Sequence, residues 1–459
     1  MLNKISKKQW IKGSIAIALW LLFTLWTESF WPLIVVPFIF DVYFTKKIPW
    51  TWWKKSKNPL VRRVMGWVDA IVFALVAVYF INTFFFQNYQ IPTSSLEKTL
   101  LVGDFLLVSK CNYGARVPNT PLSFPLAQHT LPILGTKSYI ENPQWEYKRL
   151  KGFEQVKRGD IVVFNYPAGD TVCTKSEFPD YYTLCQMYGR ERVWNDKANF
   201  GEIIWRPIDR RENYVKRCVG IAGDTLQIID NQVYLNGKKE VNPKEMQLNY
   251  FVVTDGTMIS KQQFRNLGIS NDDSNKSIIT DPGYYQYLNA PQGATIYLLP
   301  MTQTAVNMLK EFSFVKSITV MPGELGGPTY PYTEANKWTV SNYGPIWIPK
   351  KGAVIQLTEE NYPVYERVIR TYEDNQLEKR DGKIYLNGEA VTSYTFKMDY
   401  FWMMGDNRMN SADSRSWGFV PEDHVVGKPI LIWMSLDKDR GWFDGKIRFN
   451  RILKQVPAN

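Results

Sequence analysis

Residues 64–86, VMGWVDAIVFALVAVYFINTFFF, make an unbroken apolar run of 23 residues with one charge, Asp69, near its start. A helix that crosses the hydrocarbon core of a bilayer needs about 20 such residues. Apolarity on every face also argues against a helix half-sunk in a soluble core, which would show one polar side. The run predicts a transmembrane helix, and the rest of the chain must be arranged on one side or the other of it.

Two further apolar segments precede it, residues 13–27 and 30–40, interrupted by Glu28, Pro32 and Pro37. They fit either one tilted or kinked span or a short helical hairpin that enters and leaves the same face. No small-x-small cleavage site follows the first apolar core, which disfavours a removed signal peptide. Residues 1–65 carry eleven basic residues, among them Lys4, against Glu28 and Asp41, and so hold +9 of the total charge of +11. The basic excess flanks the apolar segments instead of covering a folded domain, so it reads as a topology signal and not as nucleic-acid affinity. Seven basic residues and no acid lie between Lys46 and Arg63. This loop is expected in the cytoplasm, with the 64–86 helix running outward and everything after about residue 87 on the periplasmic or external side.

Past residue 87 the pattern changes to short β-type runs broken by Gly, Pro, Asn and Asp: 104–110, 160–166, 224–230, 232–237 and 383–391. Two YLNG segments, 234–237 and 385–388, each read as hairpin turns and form a weak internal echo. WIPKKGAVIQL (347–357) similarly echoes VKRGDIVVF (156–164). One helix is expected at 304–316 from its apolar spacing. The fold class is mainly β, with N-terminal membrane helices. The expected division is 1–63 for the apolar segments and basic loop, 64–86 for the membrane helix, 87–239 with 346–459 for a β catalytic unit, and 240–345 for an insertion.

Several chemistries find no support. The two histidines, His129 and His424, sit in no HExxH motif, and GxSxG and phosphate-loop patterns are missing. No CxxC or paired Cys/His spacing points to a metal, and no cofactor is implied. Cys173 and Cys185 bracket a short polar segment; outside the cytoplasm they would suit a loop disulfide, and two unpaired thiols fit the sequence equally. Without a histidine signature, a serine nucleophile would most naturally use a lysine base.

Three blocks carry the chemistry: YQIPTSSLEKTLLVGDFLLVSK (89–110); RGDIVVFNYP (158–167) followed by YVKRCVGIAGD (214–224); and MMGDNRMNSADSRSWGFVPEDHVVGKP (403–429). Taken singly they are bland: Ser94 and Ser95 suit a helix cap, and Asp413 with Arg415 a surface ion pair. Together and in this order they resemble the type I signal peptidase family, across the membrane helix and most of 87–440 outside 240–345. The long form, with hairpins flanking a large insertion, looks like those of the Bacteroidetes group. The resemblance implies a signal-peptidase/LexA-like β domain with Ser95 as nucleophile and Lys216 as general base. It also implies Thr93 and the Ser95 N–H as oxyanion donors, Ser411 as the group orienting the lysine, and Asp413–Arg415 as an ion pair beneath the site. The chain departs from the family pattern at Ser94, Leu96, Lys98 and Met409, where the family often has Gly, Met, Pro and Asp. Lys98 and Met409 put local loop geometry in question, not the dyad.

The physical logic stands without the family. A serine hydroxyl needs a base, and a lysine is a base only when neutral, which burial among apolar neighbours favours. Val215, Cys218 and Val219 flank Lys216 suitably. The implied substrates are signal peptides of exported preproteins, cut after small-x-small sites, so shallow apolar pockets are expected. By resemblance Tyr89, Ile91, Pro92, Leu96, Leu100, Leu106, Val163 and Val215 line them, though Leu106 and Val163 suit a core equally. The substrate backbone would add as a strand to an exposed sheet edge. The implied partners are the lipid bilayer and, by proximity, the secretion translocon; the implied location is the inner (cytoplasmic) membrane. A LexA-type self-cleaving repressor would need a DNA-reading domain and no membrane span. A tethered, non-catalytic binding protein would have no reason to keep Ser95, Lys216, Thr93 and Ser411 together.

Overall fold

Two of the apolar segments become helices of membrane-crossing length, Lys7–Thr27 and Pro59–Phe84, in the computed structural model, which describes residues 6–176, 179–270, 276–333 and 335–457. Lys4 lies outside the described residues. Asn58 caps the second helix by accepting from Leu60 N–H, with Pro59 at the first position, where its missing N–H leaves no bond unmade. No residue of that helix is buried. The first helix ends at Glu28, whose left-handed backbone turns the chain back.

The chain falls into two compact units, Met1–Phe86 with Lys110–Glu154, and Gln87–Ser109 with Gln155–Asn459. In the first, Phe23 packs on Phe80 and Phe84, and Trp26 on Phe85, so the two long helices run parallel. Between them Trp31–Thr45 runs the opposite way: Trp20 Nε1 donates to Pro32 O, and Trp10 packs on Phe44. The early apolar residues therefore form a hairpin and not a single kinked span. The returning arm has 15 residues, about 22 Å of helix against a hydrocarbon core of about 30 Å. Lys110–Glu154, which the sequence assigns to the β unit, clusters with these helices. Lys148 Nζ donates to the Thr27 and Glu28 carbonyls, Trp26 Nε1 to Lys151 O, and Tyr79 OH to Pro121 O.

The second unit is built on an antiparallel sheet. Its strands lie in the order Phe86–Gln90, Asp104–Ser109, Val425–Ser435, Ile161–Asn165, Asn213–Gly220, Tyr400–Met404, Val420–Pro421, and Lys454–Gln455 pairs with Val425–Ser435. Val425–Ser435 is long and bulged; its first residues pair with 161–165 and the rest with 104–109, which curls the sheet. The mainly β expectation holds. Both YLNG segments are hairpin turns with positive φ at Asn236–Gly237 and Asn387–Gly388, and each Asn side chain accepts a backbone N–H from across the adjoining strand pair, from Thr225 and Gln376 respectively. The sequence echo is thus an echo of turn chemistry.

A separate four-stranded sheet, Ser277–Ile279, Thr295–Thr302, Gln247–Thr254 and Val315–Val320 in spatial order, occupies most of the 240–345 stretch. It has an apolar cluster on each face, one including Leu299, Met301 and Leu309, the other Phe251, Ile296 and Met321. The strand Tyr343–Trp347 pairs with Thr225–Ile229 instead. The helix expected at 304–316 spans only Gln303–Lys310, because Val315 and Lys316 already belong to the next strand.

Candidate active site

Ser95 sits in a single tight turn, Ser94–Leu96, just beyond the strand Phe86–Gln90 at the edge of the main sheet. Ile91 closes the segment on itself, its N–H donating to Asp104 O and its carbonyl accepting from Gly103 N–H. Lys98 follows in the left-handed region at φ +74, a conformation costly for a residue with a side chain; its ammonium donates to the Gly268 carbonyl. The position where the family often has proline thus holds a lysine tied to Gly268, in the segment that follows the second sheet's strand Gln247–Thr254.

Lys216 lies inside the sheet, on Asn213–Gly220, opposite Val162. Its ammonium nitrogen is 2.8 Å from Ser95 Oγ and 3.2 Å from the Val215 carbonyl, and lies 5.4 Å from the centre of the Tyr214 ring. Lys216 is buried, and burial lowers its pKa to about 8, with Asp413 and Asp406 pulling weakly the other way. Neutral amine is therefore within reach near neutral pH, at hydrogen-bond distance from a hydroxyl. That is the geometry in which a lysine takes a serine proton.

Below this pair lie two buried carboxylates. Asp413 begins the helix Ser414–Trp417 and receives Arg415 Nε at 2.9 Å, Arg415 NH2 at 2.8 Å and Gly405 N–H at 3.1 Å. Burial alone would raise its pKa, but the Arg415 guanidinium and these donors hold it below the ordinary value. Arg415 also donates to the Val340 and Arg408 carbonyls. Asp406, which the sequence reading did not single out, accepts both Arg217 Nε (2.8 Å) and NH2 (2.7 Å), and takes a third bond from Thr99 Oγ1 at 2.7 Å. Arg217 follows the lysine and Thr99 lies four residues after the serine, so one carboxylate ties the Ser95 and Lys216 segments together. The signal was present in the KR and GDN pairs, but nothing in the sequence says they meet.

The other expected residues fall as follows. Thr93 is exposed and immediately precedes the serine turn. Ser411 Oγ is buried and does not hydrogen-bond Lys216; it lies against Gly405, whose position would place a β-carbon 2.3 Å from that oxygen and 2.6 Å from the Ser95 carbonyl. Tyr89, Ile91, Leu96, Leu100, Leu106, Val163 and Val215 form one apolar cluster, and Pro92 is exposed beside it. Leu100, Leu106 and Val163 are at most 2% exposed and pack as core, leaving Tyr89, Pro92 and Val215 with accessible surface. Cys173 and Cys185 are free thiols in a small cluster with Tyr181 and Leu184, and burial pushes the Cys173 thiol up to about 11. Among the described residues no three His, Cys, Asp or Glu side chains converge as a metal site.

The sequence profile of the family "Signal peptidase, peptidase S26" matches residues 64–278 and 351–434, more than half of the chain, including Ser95 and Lys216. The chain belongs to the peptidase S26 family. Signal peptidase I of Buchnera aphidicola is 24% identical over 382 residues, covering 82% of this chain and 77% of that protein. Signal peptidase I of Haemophilus influenzae is 23% identical over 411 residues (88% and 79%), and that of Pseudomonas aeruginosa 28% over 394 residues (83% and 75%). As an S26 peptidase the chain is a membrane-anchored serine endopeptidase of signal-peptide processing.

Proposed function

We propose that the protein removes signal peptides from exported preproteins, with Ser95 attacking the scissile carbonyl and Lys216 taking its proton. The observation that carries this reading is the 2.8 Å contact between a buried, easily neutralised lysine and the serine hydroxyl. On attack the Ser95 proton passes to Lys216, the substrate carbonyl becomes an oxyanion, and Thr93 with the Ser95 N–H stabilises it. The protonated lysine then donates to the leaving amine, and the cycle repeats with water attacking the acyl-enzyme. Ser411 acts on the lysine through the Asp413–Gly405 framework, and Asp413–Arg415 is structural.

The edge strand Phe86–Gln90 leads directly into the serine turn, so a substrate adding as a strand there would bring its scissile bond to Ser95. Tyr89, Pro92 and Val215 are the side chains placed to shape the small-residue pockets. The positive charge of loop 46–63 favours the cytoplasm as its side, and on this reading the catalytic unit faces the periplasm from the inner membrane, near the translocon where substrates emerge. The anchor raises the effective concentration of substrates whose apolar segments share the bilayer.

The test is cleavage of a model precursor by the detergent-solubilised full chain. Cutting after a small-x-small site by wild type, and none by Ser95→Ala or Lys216→Ala, is expected. Turnover surviving either substitution would overturn the dyad.

A further inference from the structure

The second sheet, residues 247–320, contributes no residue to the dyad, yet it is hydrogen-bonded to the loop that holds the serine turn. Its first strand opens by pairing with that loop: Gln247 N–H donates to Asp406 O and Arg408 N–H to Gln247 O, both at 2.9 Å. Met409 then packs into the apolar cluster on one face of the sheet. Between these anchors runs a chain of amides. Asn410 Nδ2 donates to Asn249 Oδ1 at 2.8 Å and to Asn407 Oδ1 at 3.0 Å, and Asn249 Nδ2 returns a longer bond to Asn410 Oδ1 at 3.4 Å. Asn407 in turn donates its backbone N–H to the Ser95 carbonyl (3.1 Å) and its side-chain amide to the Ser94 carbonyl (3.3 Å).

The Ser94 carbonyl is the telling acceptor. It belongs to the same rigid peptide plane as the Ser95 N–H, and in a trans peptide the two point in opposite directions. Whatever fixes the carbonyl aims the N–H. The turn's own Glu97 N–H donates to this carbonyl at 2.9 Å, and Asn407, as its second donor, therefore helps set the direction of the donor that the dyad reading assigns to the oxyanion; Asn407 is itself fixed by Asn410 and Asn249. Asn249 is a firm support: it is buried, lies opposite Pro300 in the sheet's interior strand, and its carbonyl accepts from Met321 N–H.

We propose that Asn249 and Asn410 are positioning residues for the peptidase reaction, through which the second sheet aims the Ser95 N–H at the developing oxyanion. This deepens the reading of Ser95 as nucleophile and rests on it. Such a role is felt in the transition state and not in ground-state binding, so it separates kcat from KM.

The experiment uses the detergent-solubilised full chain with two probes, a model precursor and a peptide aldehyde matching a small-x-small site. Ser95 Oγ adds to the aldehyde carbon, its proton passing to Lys216, and the aldehyde oxygen becomes the oxyanion. Asn249→Leu, similar in volume but without the acceptor, is expected to lower kcat about tenfold with KM within about twofold, and to weaken aldehyde binding about tenfold while leaving an uncleavable peptide unaffected. Asn249→Ser, in which the acceptor falls short of Asn410, should do the same and serves if the leucine variant fails to fold. Asn410→Leu combined with either should add nothing further, because both interrupt one chain. Wild-type kcat and aldehyde affinity in folded Asn249 variants, or losses that multiply with Asn410→Leu, would overturn the proposal while Ser95→Ala remained inactive. Cleavage surviving in Ser95→Ala would instead remove the reading on which the proposal stands.

Discussion

Arg217 and Asp406, 189 residues apart in sequence, meet in a bidentate ion pair at 2.8 and 2.7 Å, with both side chains buried. The pair joins the lysine's strand to the loop after Tyr400–Met404, and Thr99 adds the serine segment to the same carboxylate. A third arginine nitrogen is taken up by the Gly159 carbonyl at 2.8 Å. Such a pair contributes little over an apolar substitute, but removing one member strands a buried charge, at a cost of about 3–5 kcal/mol. Asp406→Ala and Arg217→Met are each expected to destabilise the protein by that amount, and the double variant by much less than their sum. Denaturant unfolding of the four proteins in a double-mutant cycle measures this; additive losses would mean the two charges do not depend on each other.

The rate should follow the protonation of Lys216. With a pKa near 8, the amine is mostly protonated at pH 6, and only the neutral fraction can accept the serine proton. A kcat/KM that rises about tenfold per pH unit up to about pH 8 and then levels is therefore expected. A profile flat between pH 6 and 9 would place the base elsewhere.

The same lysine weakens the fold. Its folded pKa of about 8 lies below the ordinary 10.5, so between those values the unfolded chain holds the extra proton and stability rises with pH. Below about pH 8 the penalty is complete, about 3 kcal/mol for that difference. Lys216→Met, which keeps the volume and removes the charge, is expected to unfold at a higher temperature than wild type at pH 7, the gap closing toward pH 10.5. Thermal unfolding of both proteins across that range checks the sign: a gap that widened with pH would contradict a buried, depressed lysine.

What could be read in the sequence was what is local. A run of 23 apolar residues needs no partner to announce a membrane helix, and Asn-Gly between short strands fixes a turn by backbone conformation alone. Ser95 and Lys216 could be singled out because each lies in a dense motif, and the structure brings the two side chains within 2.8 Å. The sequence does not choose between a hairpin and one kinked span for the early helices because both arms are equally apolar; aromatic contacts such as Trp10–Phe44 decide it. Arg217–Asp406 and Asn249–Asn410 were out of reach for a different reason, since a buried pairing between distant segments leaves no periodicity. Leu100, Leu106 and Val163 show the same limit, as an apolar residue near a catalytic serine reads alike whether it faces substrate or core.

Gly405 offers the most direct test of how tightly the site is built. It lies between the serine turn and Ser411, donating its N–H to Asp413 Oδ2, and a β-carbon there would stand 2.3 Å from Ser411 Oγ, 2.6 Å from Ser411 Cβ and 2.6 Å from the Ser95 carbonyl oxygen. Each distance is well inside van der Waals contact, and one of the neighbours is the backbone of the serine turn itself. Its carbonyl is held by Asn407 N–H, and its segment by Thr99 on Asp406, so it cannot retreat without loosening that network. Overpacking at a tight site costs about 1–3 kcal/mol, which a unit of this size can absorb. A displacement of the serine by about 1 Å is more serious for chemistry and can cost about 10²-fold in rate. Gly405→Ala is therefore expected to remain folded while kcat falls about a hundredfold. Circular dichroism with precursor cleavage separates the two effects, and a folded Gly405→Ala enzyme with wild-type kcat would mean that the turn yields freely and that its position is not set from below.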